Sequence, residues 1–258
     1  MVAEGAAGAP GEPGTEARHA VEVAGVAGTS GTAPVAGASG TASAAGTFTA
    51  TTFLLLRHGE TALTAQKRFS GSGGDDPVLS ERGRWQAERS AAALATRGDG
   101  AGCPVQAVVS SPLARCRQTA EAAAAALGLD VAVEPGLRET DFGTWEGLSF
   151  AEVRARHPAE MTAWLGSADV APPGGESFAD VTARVARARD GLLAAYAGRT
   201  VLLVSHVTPI KTLVRLALGA PDEALFRMHL DPAALSAVAY YADGNVSLRS
   251  YNDTAHLR

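Results

Sequence analysis

Two apolar runs that each lead to a histidine constrain the fold of this chain more than any other feature. The first, Phe53–Leu56, runs directly into Arg57 and His58, and the second, Val201–Val204, stops two residues before His206. Unbroken apolar runs of this length are typical of strands that are buried on both faces of a parallel sheet. Ligands of such sheets bind at the carboxyl ends of the strands, which is where these polar side chains would emerge. The pattern therefore predicts an α/β fold with an anion site at one edge of the sheet.

Helical segments alternate with strands along the rest of the chain. Apolar runs and turn residues predict further strands at Ala107–Ser110 and Val131–Val133, and a hairpin of Ala234–Tyr241 and Val246–Tyr251. Helical periodicity and capping residues predict helices over Glu81–Ala95, Pro112–Leu127, Phe150–Ala155, Glu176–Tyr196 and Pro209–Leu218. This alternation predicts a three-layer αβα sandwich whose mostly parallel central sheet carries an antiparallel edge strand.

Candidate anion-binding side chains also stand at two predicted helix starts. Ser111 and Pro112 precede Arg115, and Thr208 is a predicted N-cap with a proline at the first helical position. An arginine guanidinium forms paired hydrogen bonds with phosphate oxygens. If the strands that lead to these helices are neighbours, Arg57, Arg115 and the two histidines form one phosphate site.

Residues 1–50 differ in composition from the rest of the chain. They are almost all small or polar, with neither leucine nor isoleucine, so they cannot bury enough apolar surface to offset their conformational entropy. We expect a disordered tail or linker over residues 1–50 and a folded domain over 51–258. The tail lacks the basic start and apolar stretch of a secretory signal, and no run approaches the length of a membrane span. A cytoplasmic location is therefore expected.

Charge and cysteine content exclude several classes of partner. The formal net charge of −5 gives no reason to expect nucleic acid or a membrane surface as a partner. Cys103 and Cys116 have neither the number nor the spacing of a disulfide framework or a metal site. We expect no metal and no other cofactor. The expected partners are a small phosphorylated metabolite and, at most, a second copy of the chain in a homodimer.

Four motifs, in the same order along the chain, resemble those of the histidine phosphatase superfamily, whose best-known branch is phosphoglycerate mutase. They are Arg57–Thr61, Ser110–Ala120, Leu137–Gly147 and Val204–Ile210. The likeness runs from about Thr52 to near the C terminus and implies a phosphoglycerate mutase-like fold.

The resemblance also implies a role for each matching residue. His58 would be the nucleophile that forms a phosphohistidine, and Arg57, Arg115 and His206 would hold the phosphoryl group. Glu139 matches the general acid of the family, and the rival carboxylate two residues later, Asp141, is not favoured by the motif.

Two positions depart from the family pattern, and two others match it. Thr64 replaces the usual asparagine, and Val207 replaces the usual glycine after the second histidine. Ser70 and Gly71 match a loop that contacts substrate in relatives. We expect Thr64, Ser70 and Gly71 to bind phosphate or substrate, and the segment Phe150–Ser177 to determine which ester is bound.

The form of the third motif separates two branches of the family. Asp141–Gly147 has the form of phosphatase branches, which include the α-ribazole phosphatases, and lacks the insertion typical of the mutases. Leu63–Gly71 and Ser205–Leu213 also resemble the acid phosphatase domain of actinobacterial ribonuclease H/acid phosphatase fusions; no nuclease activity is expected here. The sequence thus predicts a metal-independent phosphomonoesterase acting on a small metabolite, with α-ribazole phosphate as one candidate. The alternatives are mutase-type phosphoryl transfer and a non-catalytic phospholigand-binding module.

Overall fold

The computed structural model describes residues 49–97 and 104–258. The predicted tail, except for its last two residues, lies outside the described residues, and so does Cys103. The described strands are β1 Thr51–Arg57, β2 Ala107–Ser110, β3 Val131–Val133, β4 Thr200–Ser205, β5 Leu235–Tyr240 and β6 Val246–Asp253. The described α-helices are α1 Ala62–Ala65, α2 Glu81–Arg97, α3 Ala114–Leu127, α4 Phe150–Arg156, α5 Pro158–Gly166, α6 Phe178–Ala195 and α7 Val207–Leu218.

The strands form one sheet in the order β3-β2-β4-β1-β5-β6. The first four run parallel, whereas β5 is antiparallel to both β1 and β6. The prediction of a mostly parallel sheet with an antiparallel edge is therefore confirmed. The antiparallel part is the predicted hairpin, so it contributes two strands to that edge.

Alternation of apolar side chains along the central strands gives the molecule its three layers. Phe53 and Leu55 of β1 point to one face of the sheet and pack with apolar residues of α6 and α7. Leu54 and Leu56 point to the other face and pack with residues of α2 and α3. Because both faces of β1 and β4 are covered, these strands are apolar at almost every position, as in the sequence pattern.

Helix ends follow local chemistry, and three of the predicted starts are wrong. Helix α6 begins at Phe178 rather than Glu176, because Ser177 caps it. Gly128 and Gly219, both with a left-handed backbone, end α3 and α7 as expected. Helix α3 begins at Ala114 rather than Pro112, and the Asp76 carboxylate accepts a hydrogen bond from the Ala114 amide at 2.9 Å. Helix α7 begins at Val207, so its proline is the third helical residue, where the missing N–H costs no helical bond.

A third apolar cluster lies apart from the two sheet faces. Its buried members include Phe142, Trp145, Trp164 and Phe178, and Phe69 packs against it. Helices α4 and α5, with the loop that leads to α6, supply much of this cluster; we call residues 150–177 the cap. The sequence analysis missed α5, which follows α4 after the single residue His157.

Candidate active site

Adjacent strands bring the two predicted catalytic histidines together. Arg57 pairs in register with Ser205 where β1 and β4 end, and each strand is followed directly by its histidine. The ring centroids of His58 and His206 are 5.1 Å apart, with an edge-to-face arrangement. The structure therefore brings these two side chains together at the carboxyl edge of the sheet, as the sequence predicts.

The hydrogen bond made by His58 fixes which ring nitrogen is free. Its Nδ1 lies 2.7 Å from the carbonyl oxygen of Gly59, and a carbonyl can only accept, so Nδ1 carries the proton. The Nε2 lone pair is then available for attack. Burial, and secondarily the charges of Arg115 and Arg57, lower the His58 pKa well below 6.5. The imidazole is therefore neutral, which is the form a nucleophile requires.

The glycine after His58 allows an unusually close approach of two chain segments. A Cβ on Gly59 would lie 2.4 Å from the carbonyl oxygen of Gly83, and one on Gly83 would lie 2.0 Å from that of Glu60. The Gly59 amide also donates to Thr119 Oγ1 at 3.2 Å. Two glycines thus hold the start of α2 against the loop that carries His58. The sequence analysis did not identify Gly83, whose partner is more than twenty residues away.

His206 is fully buried behind His58. Its Nε2 lies 2.7 Å from Ser111 Oγ and 3.3 Å from the Cys116 sulfur. Burial and the charge of Arg115 lower the His206 pKa well below 6.5, so this ring is neutral as well. Ser111 was predicted to open a helix, but its hydroxyl instead contacts His206. Burial also raises the pKa of the Cys116 thiol, which keeps it protonated.

Two neutral buried histidines predict a loss of stability in mild acid. An unfolded-state histidine has a pKa of about 6.5, so below that pH the unfolded chain binds protons that the folded chain does not. The free energy of unfolding should therefore fall as the pH falls below about 6.5, by up to about 1.4 kcal/mol per pH unit for each histidine. Thermal unfolding at about pH 7.5 and about pH 5.5 measures this, and His58→Ala should reduce the slope. A melting temperature that does not change between these pH values would contradict the prediction.

The two predicted arginines are both held by backbone carbonyl groups. Arg115 is fully buried and donates from Nη2 to the carbonyls of Ser70 at 2.9 Å and Gly71 at 3.1 Å. Arg57 donates from Nη1 to the Leu230 carbonyl at 2.6 Å, and burial lowers its pKa to about 10. Nε of both arginines has no hydrogen-bond acceptor among the described residues, and Nη1 of Arg115 has only an ion pair with the exposed Asp76 carboxylate at 3.5 Å. Buried cationic donors of this kind are costly unless an anion binds them.

Glu139 lies in the same cavity wall, and the rival carboxylate does not. Glu139 is 5% exposed, and its carboxylate accepts hydrogen bonds from the amides of Thr140 at 2.9 Å and Thr208 at 3.3 Å. Thr208 was predicted as an N-cap, but that position is taken by His206. Asp141 accepts from the Gly143 amide at 2.8 Å and is not among the residues that line the cavity. Only Glu139 of the two carboxylates can reach a bound ester.

An ion-pair network behind Glu139 fixes the position of its backbone. Arg184 donates from Nη2 to the Glu139 carbonyl at 3.0 Å and from Nη1 to the Arg138 carbonyl at 2.7 Å. Glu176 accepts from Arg184 and Arg138, and also from the Asp141 amide at 3.1 Å. The first turns of α6 therefore orient the loop that carries the candidate acid. The sequence analysis named neither Arg184 nor Glu176 for this role.

These groups surround a cavity of about 800 Å³. Among the predicted binding residues, Arg57, Thr64 and Ser70 line it, together with His58 and Glu139. Arg115, His206 and Gly71 lie behind its wall and are not lining residues. A Cβ on Gly71 would lie 2.1 Å from the Thr140 carbonyl oxygen, so this glycine serves close packing of the loop.

The opposite wall of the cavity is largely aromatic. Trp164 is 5% exposed and its ring centroid lies 5.5 Å from that of Trp145 and 4.9 Å from that of Phe178. Phe150 and Phe226 are exposed at the rim. The predicted specificity segment thus borders the cavity, with Lys211 and Phe69 as further lining residues that the sequence analysis missed.

Metal-binding clusters and membrane-spanning helices are both absent from the described residues. Residues 49–97 and 104–258 contain no group of three or more His, Cys, Asp or Glu side chains arranged to hold a metal ion. No α-helix within the described ranges combines the length and the apolar character that a membrane crossing requires.

Paired strand-end histidines lie beside two buried arginines and a carboxylate at the carboxyl edge of the sheet. The chain matches the model of the histidine phosphatase superfamily (branch 1) over residues 53–254, and it belongs to that family. The resemblance seen in the four motifs is therefore confirmed. Other proteins similar to this chain are named as phosphatases or as probable phosphoglycerate mutases.

Several relatives are similar over most of this chain, and two of those described below carry phosphatase names. A bifunctional protein of Mycobacterium tuberculosis is 53% identical over 209 residues, which make up 81% of this chain and 56% of the relative. The chain thus spans about half the length of these first curated relatives. A glucosyl-3-phosphoglycerate phosphatase of Mycolicibacterium vanbaalenii is 38% identical over 65% of this chain and 74% of its own length. The solved structure of a mycobacterial glucosyl-3-phosphoglycerate phosphatase in complex with VO3 is similar with a TM-score of 0.70, 31% identity, and coverage of 79% of this chain and 100% of that one.

Proposed function

We propose that this chain is a phosphomonoester hydrolase that works through a phosphohistidine on His58 and needs no metal. The observation that carries the proposal is the hydrogen bond from Nδ1 to the Gly59 carbonyl, which leaves Nε2 unprotonated beside two buried arginines. An unprotonated nitrogen held next to cationic donors is the arrangement that nucleophilic attack on a phosphate monoester requires.

The first step transfers the phosphoryl group to the protein. The Nε2 lone pair forms a bond to phosphorus while the bond from phosphorus to the ester oxygen breaks. Glu139 gives its proton to the departing oxygen, so the alcohol leaves neutral and the carboxylate remains. Arg57 supplies donors to the phosphoryl oxygens from the cavity wall, and the buried Arg115 adds positive charge beside it, which favours the negative charge spread over those oxygens at the transition state.

The second step regenerates the enzyme. Water attacks phosphorus, the bond from phosphorus to Nε2 breaks, and Glu139 takes a proton from the attacking water. Inorganic phosphate is released and the imidazole is neutral again. A mutase would instead return the phosphoryl group to a second oxygen of the substrate. Release of inorganic phosphate in proportion to the alcohol therefore separates the proposed hydrolase from the mutase alternative.

Removal of metal ions should leave the activity unchanged. The proposed nucleophile, acid and anion-binding groups are all protein side chains, so no step depends on a Lewis acid. Hydrolysis of 4-nitrophenyl phosphate before and after dialysis against EDTA measures this, with added Mg²⁺ and Zn²⁺ as the reverse test. A strong loss on chelation that is restored by metal would contradict the metal-independent mechanism.

Two natural esters are the first candidates for the substrate. α-Ribazole phosphate follows from the motif likeness, and glucosyl-3-phosphoglycerate follows from the name of a relative. The aromatic wall of the cavity and its volume of about 800 Å³ suit an ester with a sugar or ring next to the phosphate. Comparison of kcat/KM for the two esters tests which class the cavity accepts.

A further inference from the structure

Lysine is rare in this chain, and its two occurrences share one location. Lys67 and Lys211 are the only lysines in the sequence, and arginine is used everywhere else for a basic side chain other than histidine. Both lysines line the candidate active-site cavity. Lys67 is exposed, with a left-handed backbone at φ 55°, whereas Lys211 is half-buried.

Helix α7 carries Lys211 on its cavity side, one turn beyond the residues next to Glu139. Val207, Thr208 and Lys211 all line the cavity, so one face of the helix turns toward it. Lys211 is three residues beyond Thr208, or roughly 4.5 Å along the helix axis, whereas the Thr208 amide contacts Glu139. The amino group is thus displaced along the cavity from the proposed site of phosphoryl transfer.

The Lys211 amino group has more hydrogen-bond donors than it uses within the described residues. It donates to the Leu225 carbonyl at 3.1 Å, and an ammonium has three donors. None of the carboxylates in the described ranges forms an ion pair with it. Burial lowers the Lys211 pKa, and the charge of Arg57 lowers it further while that of Glu139 raises it. An ammonium in this setting is costly to retain without an anionic partner.

Buried apolar side chains line the cavity that Lys211 also borders. Trp164, Phe178 and Leu225 line the same cavity and are almost fully buried. A charged hydrogen bond is strengthened where apolar side chains exclude water. A half-buried cation beside such side chains distinguishes ligands by charge more sharply than an exposed one.

We infer that Lys211 is a specificity-determining residue that binds a second anionic group of the substrate, a carboxylate or a phosphate. The inference rests on the proposed function, because it places the ester phosphate at the Arg57 and Arg115 end. In this role Lys211 selects substrates that carry two anionic groups separated along the cavity. Esters that carry only one anionic group would lack this contact.

Matched pairs of esters test the inference by catalysis. The probes are alkyl phosphates of increasing chain length that end in either a carboxylate or a hydroxyl group. The wild type should prefer the carboxylate at one chain length, and Lys211→Met should lower that ratio of kcat/KM values roughly 10- to 100-fold. Lys211→Arg should restore much of the preference, and Lys67→Met should retain it. No preference in the wild type, or an equal ratio in Lys211→Met, would overturn the inference.

A second measurement does not depend on turnover. Acetic anhydride labels exposed amines, and peptide mass spectrometry can follow Lys211 with Lys67 as an internal reference. Non-hydrolysable carboxyalkyl phosphonates should slow labelling of Lys211 several-fold more than the hydroxyalkyl phosphonates. Equal protection by both series would refute the role of Lys211 even if the chain proved not to be a hydrolase. Absence of hydrolysis with selective protection would refute the proposed function alone.

Discussion

Replacement of His58 by alanine should reduce hydrolysis of 4-nitrophenyl phosphate by about 10⁴-fold or more. The reason is that His58 presents a free Nε2 lone pair beside two buried arginines, whereas the other lining histidine, His229, is largely exposed and bonds Asp231. His206 cannot substitute, because it is fully buried behind the wall and contacts Ser111 and Cys116. Rates measured under single-turnover and steady-state conditions give the size of the loss.

His157→Ala is the matched control for this prediction. His157 lies between α4 and α5, outside the cavity lining, and its replacement should leave the rate near that of the wild type. The His58 variant should still unfold cooperatively, because it loses only one side-chain hydrogen bond, worth about 1 kcal/mol. Wild-type protein quenched during turnover should carry phosphate on His58 in an acid-labile form. Turnover within a few-fold of wild type in His58→Ala would exclude the nucleophile assignment.

Replacement of Glu139 by glutamine should affect esters according to their leaving group. Glutamine keeps an oxygen that accepts from the Thr140 and Thr208 amides, but it has no proton to give to an alkoxide. Hydrolysis of an alkyl phosphate should therefore fall about 10²- to 10⁴-fold. Hydrolysis of 4-nitrophenyl phosphate should fall much less in its first step, because nitrophenolate leaves without a proton.

Asp141→Asn is the corresponding control, because it alters the rival carboxylate with the same loss of charge. Its effect should be the same for both esters, since Asp141 bonds the Gly143 amide and does not line the cavity. The comparison uses the ratio of the alkyl and aryl rates in each variant. A leaving-group dependence in Asp141→Asn that is absent in Glu139→Gln would reverse the assignment.

The sequence predicts the parts of the fold and site that depend on local pattern. Strands β1 and β4 are identifiable because both of their faces are buried, so their apolar residues are continuous. His58 and His206 follow because each comes directly after such a strand. Gly128 and Gly219 mark helix ends because the residue after each helix has a left-handed backbone, which glycine adopts without strain.

The remainder depends on contacts between distant residues. A serine before a proline is typical of a helix start, but the Ser111 hydroxyl contacts His206, which is 95 positions away in the sequence. Lys211 looks like an ordinary polar position of an amphipathic helix, but it lines the cavity and donates to the distant Leu225 carbonyl. Gly71 matches a substrate loop, yet its proximity to the Thr140 carbonyl is a packing requirement that no local pattern reveals.

The separation of the aromatic cluster from the two sheet cores has a consequence for how this enzyme can evolve. The cap packs through side chains such as Met161 and Trp164 against the third apolar cluster, whereas β1 and β4 are stabilised by α2, α3, α6 and α7. Mutations in the cap therefore change the shape of the substrate space without disturbing the strands that present His58 and His206. Such a division allows the cavity lining to change in sequence while the strands that carry the two histidines keep their packing.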